Sequence, residues 1–262
     1  TDSDDALTAQ KPEGSEFGQS FSGGGNGIGA SVVGVYQFNP ATEIGDFSVQ
    51  GLSVRNLAGG LKWGPEGLGS GASLTYSFLV EGVSQYNENE GNSAITSAFN
   101  AAQKTAAQSA MQKSANVANH TFSQVTDTAT SAGDIRWGNS DLPSTALAYF
   151  PSTVGAGGNI WFGTTYDDYQ NPVLGGYGYH TFIHELGHAM GLNHPHTSAT
   201  NTPVPGHDVL QYSIMSYRGY VGQSLGSGYN LSYFPTTPMI DDVAALQAIY
   251  GANTAYRATN TV

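Results

Sequence analysis

The sequence predicts a mixed α/β (α+β) domain in which helices pack on a twisted mixed sheet. Three observations lead to this fold class. Residues 72–80 alternate in polarity as a strand does, and residues 93–117 carry apolar or small side chains close to helical period. Short strand-like segments separated by Gly, Pro and Ser come next, and two shorter helical segments follow. This order of elements indicates a mixed sheet with helices packed on it.

Composition narrows the class of protein. The chain has 262 residues, enough for one large core or two small ones. It carries 8 Lys and Arg against 20 Asp and Glu, a formal net charge of −12, which argues against nucleic acid or an anionic membrane as a partner. The absence of cysteine excludes disulfides, thiolate metal ligands and cysteine nucleophiles. No apolar run reaches the ~20 residues of a membrane span. We expect a monomer.

Residues 1–60 are predicted to form a glycine-rich N-terminal extension. Residues 1–35 are polar and rich in glycine, which is typical of a flexible arm. The stretch 25–30 fits the dinucleotide-binding pattern GxGxxA, but no strand precedes it, so we reject that site. Short apolar patches between residues 31 and 57 predict strands or a packed extension.

The remaining elements can be read from local patterns. The last helix is expected to have Thr237 as its cap, Pro238 at its first position, and Asp241 and Asp242 in its first turn, where acidic side chains are favourable and here structural. The strands predicted after the long helix are Thr121–Val125, Asp134–Trp137, Ala146–Phe150 and Asn159–Phe162.

The segment HTFIHELGHAMGLNHP contains the candidate site. His184 and His188 are four residues apart, so on a helix their imidazoles project from one face. Glu185 reaches the same space without being a ligand. Gly191 allows the chain to leave the helix sharply, and this turn brings His194 round as a third nitrogen. Three histidines with one open position describe a catalytic zinc site.

Two other readings of these patterns are weaker. Histidines on the surface of an amphipathic helix would not require five residue types at fixed offsets. The stretch 222–226 matches the nucleophile pattern GxSxG, but no helix follows it, which argues against a serine hydrolase. The other histidines are expected to be solvated or structural: His120, His180, His196 and His207.

The string HELGHAMGLNH resembles the metzincin signature HExxHxxGxxH at all its fixed positions. Downstream, SIMSY at residues 213–217 is similar to the methionine turn of the serralysins, a secreted bacterial branch of the metzincins. Residues 238–253 resemble the helix that ends the serralysin catalytic domain, and residues 74–78 resemble its first strand. The resemblance implies that residues 61–253 are a zinc protease domain.

The resemblance also implies roles for particular residues. Glu185 would be the general base and His184, His188 and His194 the zinc ligands of a secreted, extracellular bacterial endopeptidase that cleaves protein or peptide substrates. Tyr217 would ligate zinc at rest and then swing aside to hydrogen-bond the oxyanion. Met215 would pack beneath the zinc, and Ala146–Phe150 would be the antiparallel edge strand that lines the cleft.

The end of the chain limits what the resemblance implies. Serralysins continue into a calcium-loaded β-roll, and residues 254–262 resemble a truncated linker to it. Calcium is therefore possible but unsupported by this chain. An alternative function is a catalytically silent zinc-containing binding or surface-layer module, although the intact Glu185 argues against it.

A second alternative is a latent enzyme held by its N-terminal extension. Asp46 follows Gly45, as in the prosegment of the related astacins, where an aspartate occupies the open zinc position. A carboxylate oxygen is a competent zinc ligand. The competing interpretation is that Gly45 and Asp46 form an ordinary β-turn.

Overall fold

The computed structural model describes residues 33–45, 49–81, 96–141, 143–153, 156–196, 204–225, 227–229 and 231–256. The strands in these ranges are β1 (Val35–Gln37), β2 (Leu61–Trp63), β3 (Ala72–Phe78), β4 (Thr96–Ser97), β5 (His120–Gln124), β6 (Ile135–Ser140), β7 (Ala146–Ala148) and β8 (Asn159–Gly163). The helices are α1 (Pro40–Glu43), α2 (Val49–Leu57), α3 (Ala101–Val117), α4 (Asp167–Gln170), α5 (Tyr177–Ala189) and α6 (Ile240–Tyr250).

The main sheet is mixed, as the sequence predicts. Its strands run in the order β5-β3-β6-β8-β7, with β4 paired to β6 off this path. The pairs β3–β5, β3–β6 and β6–β8 are parallel, whereas β7 runs antiparallel to β8 at the end of the order. The prediction of an antiparallel edge strand at Ala146–Phe150 is therefore confirmed in position and direction, but the strand ends at Ala148. Strands β1 and β2 form a separate antiparallel pair.

An aromatic core fixes α5 on the sheet. The central strands β6 and β8 are buried along their whole length, as expected for strands covered on both faces. Phe182 of α5 stacks on Phe162 of β8 with ring centroids 4.1 Å apart, and on Trp137 of β6 at 5.9 Å. Because these rings are buried, the position of α5 over the sheet is set by packing rather than by a loop.

The long helix α3 begins later than the predicted start at residue 93. Asn100 caps it: its side chain accepts a hydrogen bond from the backbone N–H of Gln103, and the Gln103 side chain accepts one from the N–H of Asn100. Before this capping box, Thr96 and Ser97 pair with β6, and Phe99 packs against the core aromatics. The predicted residues 93–95 lie outside the described part of the chain.

The second apolar patch, residues 44–54, was predicted to be a strand or part of a packed extension. It packs in the core, but as a helix rather than a strand, because residues 49–57 form α2. Val54, Leu57 and Ala58 are buried and lie three and four residues apart, which is a helical face rather than a strand face. The buried guanidinium of Arg55 also donates to the carbonyl of Ile44 at 2.7 Å, which ties α2 to the chain before it.

The C-terminal helix also begins later than predicted. Helix α6 starts at Ile240, and the Asp242 carboxylate accepts the backbone N–H of Met239 at 2.8 Å, so Thr237 is not its cap. Asp46 and the features predicted for residues 1–32 and 257–262 lie outside the described residues. Of the helices that the structure describes, none combines the length and the hydropathy that crossing a membrane requires.

Candidate metal centre

Helix α5 carries two of the three histidines and then ends abruptly. Every residue of α5 after Tyr177 is buried, so the helix is held on all sides. Gly191 has φ +91°, a conformation that residues with a Cβ rarely adopt. The N–H of Leu192 donates to the carbonyl of Gly187 at 2.8 Å, which closes the turn after the helix. This turn brings His194 back beside α5.

The three imidazoles converge as the sequence predicts. The Nε2 atom of His194 lies 3.1 Å from that of His184 and 2.9 Å from that of His188. The Nδ1 atoms of His184 and His188 lie 2.8 Å from the carbonyl oxygens of Ile214 and Leu192, respectively. Because an Nδ1–H donates to each carbonyl, each of these Nε2 atoms presents a lone pair to the centre.

This donor set fits a zinc ion. Four tetrahedral ligands at the usual Zn–N distance are separated from each other by about 3.3 Å, close to the Nε2–Nε2 distances found here. Burial lowers the pKa of His184 to about 4 and that of His188 to about 3, and it holds the pKa of His194 well below its usual value. All three rings are therefore neutral at physiological pH, which is the form that binds a metal.

Glu185 lies beside this group. Its side chain is buried and lines the cleft next to His184. Burial raises the pKa of Glu185 to about 8 in the metal-free protein. A bound dication at the histidines would favour the carboxylate and oppose this rise.

The methionine turn packs beneath the histidines. Met215 is fully buried, and a Cβ added to Gly187 of α5 would meet its Sδ at 2.5 Å. The Met215 side chain therefore lies directly against the backbone of the helix that carries His184 and His188. The structure agrees with the predicted role of Met215 as packing.

Asp242 anchors this turn from α6. Its carboxylate accepts the Ser213 hydroxyl at 2.6 Å and the backbone N–H of Ile214 at 2.8 Å. The carbonyl of the same Ile214 accepts the hydrogen bond from His184. A fully buried carboxylate thus supports a histidine through one intervening residue, and the predicted structural role of Asp242 agrees with these contacts.

Tyr217 lies on the open side of the group. Its ring centroid is 4.4 Å from that of His194 and 5.8 Å from that of His184. Tyr217 also lines the cleft that contains Glu185. The structure therefore brings together all five of the residues that the sequence singled out.

The cleft itself has a volume of about 330 Å³, which includes open solvent. The edge strand β7 contributes Ala146 to its wall. Residues from α5, from the segment before β7, from the methionine turn and from the segment after it complete the lining: Thr145, Tyr177, His180, Thr181, His184, Glu185, Tyr217 and Tyr229.

Four of the cleft residues were not singled out by the sequence analysis: Thr145, Tyr177, Thr181 and Tyr229. His180, which was predicted to be solvated or structural, is buried at the cleft. Its position four residues before His184 could have placed it on the same helical face. Tyr229 had no such signal, because a loop brings it there. The structural role predicted for His120 and His207 agrees with their contacts: His120 pairs with Ser114 at 3.0 Å, and His207 pairs with Asp241 at 2.7 Å.

Several curated proteins are similar in sequence to most of this chain, whereas no protein-family model matches it. Serralysin A of Dickeya chrysanthemi is 32% identical over 225 residues, which cover 82% of this chain and 46% of that relative. Metallopeptidase AprA of Pseudomonas marginalis is 37% identical over 205 residues, covering 72% and 42%. Serralysin G of Dickeya chrysanthemi is 32% identical over 264 residues, covering 92% and 53%.

The mixed sheet, the histidine group on its buried helix and the methionine turn are the features of a metzincin-type domain. Several curated serralysins and metallopeptidase AprA are 32–37% identical to this chain, so its fold and site are serralysin-like. It spans about half the length of the curated relatives it matches.

Proposed function

We propose that this chain is the catalytic part of a secreted bacterial zinc endopeptidase that cleaves protein or peptide substrates. The observation that carries the proposal is the convergence of three neutral, buried imidazoles, one of which, His184, lines a cleft together with the buried carboxylate of Glu185. In this proposal His184, His188 and His194 are the zinc ligands, and Glu185 is the general base. Extracellular location is proposed from the resemblance to serralysins.

When bound by the three imidazoles, zinc supplies a Lewis acid that lowers the pKa of a bound water towards about 7. Glu185 accepts the proton of the attacking water and later donates it to the amine nitrogen of the leaving group. Burial of Glu185 excludes bulk water from this proton transfer. In this proposal the phenol of Tyr217 donates a hydrogen bond to the oxyanion of the tetrahedral intermediate.

The edge strand supplies a means to bind a polypeptide main chain. Strand β7 is at the end of the sheet order and pairs with β8 through one side. An extended substrate pairs with the backbone of such an edge, and this places its carbonyl groups along the cleft. Ala146 belongs to β7 and also lines the cleft beside Glu185, so main-chain pairing and chemistry are adjacent.

Chelation tests the proposed function. We expect the purified chain to cleave casein or a quenched fluorescent peptide, to lose this activity with a chelator, and to regain it with stoichiometric zinc. Circular dichroism of the chelated protein is the control that separates metal loss from unfolding. If the zinc-loaded chain cleaves no peptide while it remains folded, the silent binding module is the better description.

Replacement of Tyr217 by Phe tests the oxyanion role. We expect kcat to fall by about 10²-fold with little change in KM, because the lost hydrogen bond is made mainly in the transition state. The matched control is Tyr177→Phe, which removes a hydroxyl from the same cleft. An unchanged kcat at full zinc occupancy would leave Tyr217 as a packing residue.

A second hypothesis is that Asp46 of the N-terminal extension holds the enzyme in a latent form. The fold limits which variants can test it. Phe38, Ile44, Val54 and Leu57 are buried in the same core as the sheet and α5, so removal of residues 1–60 would damage the domain. The informative variant is therefore Asp46→Ala in the full chain. Equal peptidase activity of the variant and the parent at full zinc occupancy would retire the hypothesis.

A further inference from the structure

A buried carboxylate lies outside the set of residues used above. Asp208 belongs to the segment between His194 and the methionine turn, and it is 7% exposed. Its Oδ1 atom accepts the Ser216 hydroxyl at 2.6 Å, and its Oδ2 atom forms an ion pair with the guanidinium of Arg218. The carboxylate is therefore anchored by one hydroxyl partner and one charged partner.

The two partners of Asp208 flank Tyr217 in the chain. The backbone N–H of Arg218 also donates to the Ser216 hydroxyl at 3.1 Å. The carbonyl of Arg218 accepts the N–H of Leu210 at 2.8 Å. The backbone on both sides of Tyr217 is therefore attached to the segment that begins at Asp208.

A third contact connects Asp208 to the segment after the third histidine. The Nδ1 atom of His196 lies 3.3 Å from Oδ1 of Asp208. The His196 ring is almost parallel to the His194 ring, with 3° between the planes and 5.2 Å between the centroids. Tyr217 packs on both rings, at 4.8 Å from His196 and 4.4 Å from His194. One carboxylate thus spans the two loops whose side chains meet at the open side of the histidine group.

We propose that Asp208 is a positioning residue that, through Ser216 and Arg218, holds the Tyr217 phenol at the metal centre. This inference rests on the role proposed above for Tyr217. The side chain of Tyr217 comes from a turn with no helix or strand of its own, so contacts from neighbouring segments must fix its placement. Asp208 acts through these contacts and does not touch substrate.

The test is the spectrum of the copper-substituted protein. A phenolate bound to Cu(II) gives a visible charge-transfer absorption, which reports the placement of Tyr217 without any substrate. We expect Asp208→Asn to bind one equivalent of copper, or one equivalent of zinc, as the parent does. The copper-loaded variant should lose about half or more of the charge-transfer absorption of the copper-loaded parent. The kcat of the zinc-loaded variant is expected to fall by about 10-fold with little change in KM, as misplacement of a catalytic group produces.

Two further variants keep the test decisive. Ser216→Ala removes one hydroxyl and with it the hydrogen bonds to Asp208 and from the Arg218 N–H, and we expect it to reproduce part of the loss even if Asp208→Asn does not fold. The matched control is Asp127→Asn, because Asp127 is also buried, pairs with the guanidinium of Arg136 at 2.7 Å and accepts the Ser77 hydroxyl at 3.2 Å. If Asp208→Asn acts only by a general loss of stability, Asp127→Asn should lose absorption and kcat to the same extent. If it acts through the position of Tyr217, Asp127→Asn should keep both.

The results separate this inference from the proposed function. Parent-like absorption and kcat in Asp208→Asn would overturn the positioning role, as would an equal loss in Asp127→Asn. If the parent protein shows no absorption that Tyr217→Phe removes, the positioning role is also overturned, while chelator-sensitive cleavage would still support the peptidase. If the absorption depends on Asp208 but no zinc-dependent cleavage occurs, the peptidase proposal fails and the positioning role stands.

Discussion

We expect Glu185→Gln to keep its zinc and to lose peptidase activity by a factor of about 10²–10⁴. The amide has the shape of the carboxylate and fills the same buried space beside His184, but it cannot accept the proton of the attacking water. The three imidazoles remain in place, so metal binding should be retained. The measurements are kcat/KM with a fluorogenic peptide and zinc content by atomic absorption.

The matched control for this variant is Glu43→Gln. Glu43 is an exposed glutamate of α1 that accepts hydrogen bonds from Tyr36 and Asn39. Its replacement by Gln should leave kcat/KM unchanged. Parent-like activity in a fully zinc-loaded Glu185→Gln protein would show that another group takes the proton. A loss of zinc together with activity would instead indicate that Glu185 supports the site.

The centre of the site could be predicted because its residues are close in sequence. The spacing of His184 and His188 places both on one face of any helix, and Gly191 permits the turn that returns His194. The supports of the site could not be predicted in this way. The Ile214 carbonyl and Asp208 reach the site only after separate segments have packed together, and no local spacing encodes such contacts.

As with the site, part of the fold could be predicted from the sequence and part could not. The strands β5 to β8 were found because four strand-like segments lie between clear turn residues, and the mixed sheet followed from their order. The start of α3 was missed because apolar Ile95 and Phe99 fit the helical period, whereas the Asn100 cap decides where the helix begins. Helix α2 was missed because a short apolar segment does not distinguish a helix from a strand.

The second large effect is expected for Gly191→Ala. A Cβ at Gly191 would have to adopt φ +91° and would collide with the backbone carbonyl of Leu61. The left-handed conformation costs about 1–2 kcal/mol, and overpacking against a fixed group adds about 1–3 kcal/mol. We therefore expect the free energy of unfolding of the metal-free protein to fall by about 2–5 kcal/mol, measured by urea denaturation.

Zinc affinity should fall with stability in this variant, because Gly191 belongs to the turn that places His194. The carbonyl of Gly191 accepts the N–H of Gly59 at 2.8 Å, and the N–H of Asn193 donates to the carbonyl of Leu57 at 2.6 Å. Hydrogen bonds to the end of α2 and to the segment after it thus hold this turn in place. If the turn is displaced from them, His194 is displaced with it. A loss of about 10-fold or more in zinc affinity, measured by competition with a chromophoric chelator, is expected.

The matched control is Gly206→Ala, which separates the conformational strain from the collision. Gly206 has φ +82°, but no atom lies within 4 Å of a Cβ built on it. This variant should lose only the about 1–2 kcal/mol of left-handed strain, and its zinc affinity should match the parent. If Gly191→Ala matches Gly206→Ala in both the free energy of unfolding and the zinc affinity, the close approach of Gly191 to the Leu61 carbonyl does not fix the turn. The placement of His194 would then depend on the turn's own hydrogen bonds rather than on the segment after α2.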